Sequence, residues 1–128
     1  MSHKLPAYLS GRVTPYKGNG RKLGYPTANI DTTTNLDDGV YFGYAEMSDY
    51  RHWPALIFIG TPTTLGDKDR RVEAYLFDAI DKDYYGEKLE LKLVSYHRPN
   101  QTFESIDALL QVMHQDEKIA RGWFARQP

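Results

Sequence analysis

The chain has 128 residues, 41% of them hydrophobic and 26% charged, with a formal net charge of -1 and no cysteine. That length suits one domain over residues 1–128, burying roughly two thirds of the surface an unfolded chain exposes. The near-zero charge gives no basic field for nucleic acid, the missing cysteines exclude disulfides and thiolate metal sites, and no apolar run approaches the ~18 residues that span a bilayer. The first fifteen residues hold no signal-like apolar block, so a cytoplasmic location without membrane contact is expected.

In chain order, Tyr8–Thr14 reads as a first strand, and a stretch dense in glycine and basic residues follows, Lys17-Gly18-Asn19-Gly20-Arg21-Lys22-Leu23-Gly24-Tyr25. Pro26-Thr27-Ala28-Asn29 then forms a turn, and Asp31–Asp38, rich in Thr, Asn and Asp, forms a loop. Val40–Met47 and Ala55–Ile59 are β-branched and aromatic runs that predict neighbouring strands, separated by Ser48–Pro54. In Arg71–Asp78, Val72, Ala74 and Leu76 alternate with Glu73, Tyr75 and Phe77, a period of two that assigns a strand with two distinct faces. Glu87–Tyr96 alternates likewise, with Leu89, Leu91 and Leu93 on the core side. The period changes only from Ser105: Ile106, Leu109, Leu110 and Met113 fall at helical spacing, with Ser105 as N-cap and Asp107 in the first turn. Five or six short strands followed by one amphipathic helix suggest a small antiparallel barrel with the helix packed on it.

Several motif readings fail on spacing. Gly18, Gly20 and Gly24 do not fit the dinucleotide fingerprint, and no Lys-Ser or Lys-Thr pair completes a phosphate-binding P-loop. Asp81–Gly86 starts like a calcium loop but has Lys92 where a bidentate glutamate is required. His3, His52, His97 and His114 lack the pairing of a zinc site, and the basic residues are interleaved with acids, against an RNA platform. Two constellations remain. In the first, a mobile Gly loop with Lys22 could cradle phosphates, while Thr27 and Asn29, two residues apart on an extended chain, offer neutral hard oxygens for Mg²⁺ beside a polyphosphate. In the second, Glu73 shares its face with Tyr75 and Phe77, and beside bound polyphosphate it could take a proton from a substrate alcohol. The bland alternatives are an ordinary hairpin loop, a self-bonded Thr/Asn turn and a solvated carboxylate.

The segment Gly18–Asn29, with G-R-K-L-G-Y-P-T-A-N, resembles the flavokinase family, the riboflavin kinases. Asp38-Gly39-Val40-Tyr41, Ile59-Gly60, Val72-Glu73-Ala74-Tyr75, Tyr85-Gly86-Glu87 and Arg98-Pro99 followed by Phe103 extend the likeness over nearly the whole chain. The resemblance implies a mainly β fold, a small six-stranded antiparallel Greek-key barrel with a C-terminal α-helix. It also implies an ATP- and Mg²⁺-dependent kinase that phosphorylates the ribityl 5′-hydroxyl of riboflavin to give FMN and ADP. By position, Glu73 matches the catalytic base, and Thr27 and Asn29 match the Mg²⁺ ligands. Gly18, Gly20, Lys22, Thr27, Asn29, Leu76, Asp78 and Tyr85 match nucleotide contacts, and Arg98, Gln101 and Phe103 match flavin contacts. The partners implied are small molecules, with no nucleic acid, and the protein is expected to act as a monomer.

Four departures stand out. Asn19 replaces the usual arginine of the Gly loop, which reassigns phosphate contacts to Lys17 and Arg21, and the family's I-G-x-x-P turn is shortened to Ile59–Pro62. Phe58 stands where a polar residue is common, and Tyr75 where histidine is frequent. The altered Gly loop and turn motivate the alternative, a catalytically weak or inactive flavin-binding or regulatory module on the same barrel. A nucleotidyltransferase domain, common before this one in bacterial members, has no counterpart here, so no FAD synthesis is expected of either a free-standing kinase or an excised kinase domain.

Overall fold

A computed structural model describes residues 4–15, 27–62, 68–79 and 84–128. Six strands run β1 (Ala7–Thr14), β2 (Ala28–Asp31), β3 (Gly39–Met47), β4 (His52–Gly60), β5 (Arg71–Leu76) and β6 (Lys88–Arg98), followed by helix α1 (Ile106–Ala125). They close into a barrel in the order β1-β2-β5-β4-β3-β6, with every neighbouring pair antiparallel. β3, β4 and β5 form a meander, and β6 returns beside β3, which is a Greek key. Closure gives every strand a neighbour on both sides.

Alternation along the strands fixes what lies inside. The expected leucine face of β6, Leu89, Leu91 and Leu93, is fully buried together with Val72, Ala74 and Leu76 of β5 and Ile57 and Ile59 of β4. Aligned across the strands, Val13, Ile30, Val72 and Ile59 form one interior row. The adjacent outward row reads Thr14, Asn29, Glu73, Phe58, Val40 and Arg98. From β1 through β2 and β5 to β4 the pairing runs without a register shift, so there the interior row determines the outward one.

Some boundaries differ from the sequence expectation. Ala28 and Asn29 belong to β2 rather than a turn, because Ala28 pairs with Ala74 and Asn29 with Glu73. β4 starts at His52 and includes Pro54, whose carbonyl accepts from Phe77 N at 2.9 Å. In a strand, the N and C=O of one residue point to the same side. Pro54 therefore turns its missing donor toward the end of β5, just beyond the last paired position at Leu76, rather than toward β3. At Gly43 the register of β3 against β6 shifts, and a Cβ there would lie 2.0 Å from the Lys92 carbonyl oxygen, so only glycine permits the approach.

Tyr41 points into the barrel and donates its hydroxyl to the Asp37 carbonyl at 2.6 Å. Burial, with Asp37 nearby, pushes its pKa from 10.0 up to about 12. The folded state therefore keeps a proton that the unfolded chain loses above pH 10, so the Tyr41 contribution is complete below pH 10 and lost as pH rises toward 12. Urea midpoints measured from pH 9 to 12 should fall less steeply for Tyr41→Phe than for the parent. At neutral pH that variant should cost about 1 kcal/mol for the missing hydrogen bond.

Helix α1 lies on the outside of the barrel. Ser105 caps it as expected, its hydroxyl accepting from Ala108 N at 3.1 Å. The docking stripe falls later than the pattern suggested: Ile106 is 41% exposed, whereas Ala120, Trp123 and Phe124 pack with Phe42, Phe77, Leu56 and Tyr75. Phe124 meets Phe77 edge-on at 5.7 Å between ring centroids, and Trp123 lies 5.5 Å from Phe42. This second apolar cluster, separate from the barrel interior, covers the outer faces of β3, β4 and β5.

Candidate active site

The outward face brings Thr27, Asn29 and Glu73 together. Thr27 Oγ1 donates to Glu73 Oε1 at 2.7 Å, across the β2–β5 pairing. Asn29 Nδ2 donates to Thr14 Oγ1 at 2.7 Å, and Asn29 Oδ1 accepts from an Nη of Arg71. Arg71 Nε also lies 3.6 Å from Glu73 Oε2. The side chains of Arg71 and Glu73 are 8% and 20% exposed, so the cluster is sheltered but open on one side.

The chemistry of this group follows from its protons. Glu73 accepts from Thr27 and faces the Arg71 guanidinium, and a carboxylate in that position keeps lone pairs with which to accept a further proton. Thr27 directs its proton onto Glu73 and keeps oxygen lone pairs available. Asn29 uses one lone pair of its amide oxygen on Arg71 and keeps the other. Thr27 Oγ1 and Asn29 Oδ1 are thus neutral oxygen donors of the kind Mg²⁺ takes alongside phosphate oxygens. Among the described residues there is no cluster of three or more His, Cys, Asp or Glu that could hold a metal ion.

The remaining predicted residues are placed as follows. Gly18, Gly20 and Lys22 lie outside the described residues. Tyr85 is half exposed in a turn fastened to the end of β1, where Gly86 N donates to Val13 O at 2.9 Å and Arg12 donates to Gly86 O at 2.8 Å. That turn adjoins Thr14, the neighbour of Asn29. Leu76 faces the barrel interior rather than the surface that carries Glu73. Asp78, with φ of 64°, is exposed beyond β5, 3.4 Å from Arg121 of α1. Tyr75 and Phe77 do share the Glu73 face, but the helix covers them; burial, then the charge of Glu117, raises the Tyr75 pKa.

Arg98 sits at the far end of the same row and is held by the helix. Its Nε and Nη2 donate to the two oxygens of Asp116 at 2.9 and 2.7 Å, while His97 Nε2 lies 2.9 Å from Oδ1 and must donate to it. The His97 ring stacks on Phe42 at 4.6 Å. Gln101 is exposed and Phe103 half-buried, just past Asn100, whose Nδ2 donates to Ile59 O at 2.8 Å. At Gly60 a Cβ would fall 2.0 Å from that Nδ2, so Asn100 fastens the Ile59–Pro62 turn to the segment carrying Gln101 and Phe103.

Sequence reasoning missed Arg71, Asp116 and Asn100. Arg71 stands two residues before Glu73 in a period-two strand and so shares its face, a signal that was present but unused. Asp116 and Asn100 have no comparable signal, because their partners are distant in sequence.

The fold and this cluster define a class, a closed Greek-key β-barrel with a carboxylate, a hydroxyl and an amide gathered on its outer surface. The riboflavin kinase (flavokinase) family model matches residues 3–124, and the chain belongs to that family. A bifunctional riboflavin kinase/FMN phosphatase of Arabidopsis thaliana is 34% identical over 122 residues, covering 90% of this chain and 32% of that protein. A crystal structure described as a macrolide-efflux protein from Streptococcus pneumoniae matches with a TM-score of 0.79 and 30% identity, covering 92% of this chain and 39% of the other. The riboflavin kinase of Trypanosoma brucei shares the fold with a TM-score of 0.70 and 22% identity, covering 93% and 77%. The chain spans less than half the length of several curated relatives that it matches. Among the described residues no helix is long and apolar enough to cross a membrane.

Proposed function

We infer that this chain phosphorylates the ribityl 5′-hydroxyl of riboflavin at the expense of ATP, releasing FMN and ADP. The observation that carries this reading is the 2.7 Å bond between Thr27 and Glu73, which joins the candidate base to the candidate phosphate-binding segment. Glu73 takes the hydroxyl proton as the 5′-oxygen bonds to the γ-phosphorus and the bond to the β–γ bridging oxygen breaks, leaving with ADP. Thr27 and Asn29 are the residues that would hold Mg²⁺, which when bound with the nucleotide neutralises charge along the phosphates. Arg98, Gln101 and Phe103 border the flavin, and Tyr85 the nucleotide, together with Gly18, Gly20 and Lys22. The partners are small molecules, and the protein works as a cytoplasmic monomer.

Incubation with riboflavin, ATP and Mg²⁺, followed by chromatography, should yield FMN and ADP in equal amounts, and chelation of the metal should stop the reaction. Tight riboflavin binding with no ADP released at saturating ATP and Mg²⁺ would replace this reading with that of a flavin-binding module.

A further inference from the structure

Arg71 is nearly buried, yet its guanidinium serves two acceptors that belong to different strands. One is the amide oxygen of Asn29 on β2, and the other is Oε2 of Glu73 on β5, 3.6 Å from Nε. A charge with a side chain only 8% exposed is costly to bury unless it is compensated, and both the hydrogen bond to Asn29 and the ion pair with Glu73 reach residues of the proposed site. The opposite sides of both acceptors are fixed as well, Asn29 Nδ2 by Thr14 and Glu73 Oε1 by Thr27. Without the guanidinium, the Asn29 amide would lose the bond at its oxygen and keep that at its nitrogen, and the Glu73 carboxylate would lose the charge that faces Oε2.

We propose that Arg71 is a positioning residue for phosphoryl transfer, holding the Asn29 carbonyl and the Glu73 carboxylate in one arrangement from behind. This rests on the kinase reading given above. The planar fork of arginine reaches two acceptors on adjacent strands at once, whereas a lysine ammonium supplies the charge on a flexible stem without that fixed geometry. The effect falls on the reacting atoms rather than on flavin affinity, because Arg71 acts through Asn29 and Glu73. A misplacement of about 1 Å in such groups costs on the order of 10²-fold in rate.

The test compares the parent with Arg71→Met, Arg71→Lys and Arg71→Ala in the full chain. Arg71→Met should lower kcat about 10- to 100-fold while the riboflavin KM is largely kept, with Arg71→Lys between it and the parent. Guanidinium ion at low, non-denaturing concentration should restore part of the rate to Arg71→Ala. Independently of turnover, the Asn29 side-chain amide protons, assigned by NMR, should shift and average in Arg71→Met because one of their two restraints is gone. Parental kcat in Arg71→Met, or unchanged Asn29 signals, overturns the proposal; so does a parallel fall of kcat, flavin affinity and melting temperature without guanidinium rescue. If the parent itself makes no FMN, the kinase reading fails, and the Asn29 signals still decide whether Arg71 positions this cluster.

Discussion

Glu73→Gln is expected to lower FMN formation by about 10²- to 10⁴-fold, the range a positioned general base supplies, while riboflavin still binds. Glutamine keeps the volume of the side chain and, through its amide oxygen, the bond from Thr27. It cannot take the proton from the attacking hydroxyl. Because Glu73 is anchored by Thr27 and Arg71 within the row, its replacement leaves the Arg98 end of that row intact. Fluorescence quenching of riboflavin should therefore give a dissociation constant near that of the parent, while single-turnover transfer of labelled γ-phosphate slows. Turnover within tenfold of the parent would place the base elsewhere.

The second large effect concerns stability. Asp116 has a side chain only 7% exposed and accepts from both Arg98 and His97, so it ties the middle of α1 to the end of β6. Asp116→Ala removes the acceptor and leaves a partly buried guanidinium unpaired, the change for which buried pairs typically cost about 3 to 5 kcal/mol. In a domain of this size that corresponds to a fall in melting temperature on the order of 10 to 20 °C. Calorimetry checks it. Double replacement of Arg98 and Asp116 by apolar residues of similar volume should recover much of the loss, since what is costly is the orphaned charge rather than the absence of the pair. A drop confined to a few degrees in Asp116→Ala would mean that Trp123 and Phe124 hold the helix without the pair.

The parts of this molecule governed by local rules could be read from the chain. β5 follows from the alternation of Val72, Ala74 and Leu76 with Glu73, Tyr75 and Phe77, and the β6 core face from three leucines two apart. Ser105 was legible as a cap because the bond it makes lies within three residues. What stayed hidden depends on register between distant segments. Asn29 looked like a turn residue because nothing near it announces Glu73 as its partner across β2 and β5. Asp116 reads as one more charged helix residue until β6 sets Arg98 and His97 against it. The same holds for the helix stripe: Ile106 has the right spacing but is exposed, whereas Ala120, Trp123 and Phe124 pack with Phe42 and Phe77, which only the barrel brings together. Leu76 carried a ligand role by resemblance, while its parity within β5 turns it inward.

The outward row Thr14, Asn29, Glu73, Phe58, Val40 and Arg98 is interleaved residue by residue with the interior row of Val13, Ile30, Val72 and Ile59. The two are therefore inherited as one unit. Lengthening β2 or β5 by a single residue would exchange the rows, sending Asn29 or Glu73 into the apolar interior and Ile30 or Val72 out to water. Chemistry here can be varied by replacing side chains in place or by changing what the loops carry over the barrel, but not by sliding strands. A sequence change deep in the core that left every polar residue untouched would still erase the site if it altered the pairing.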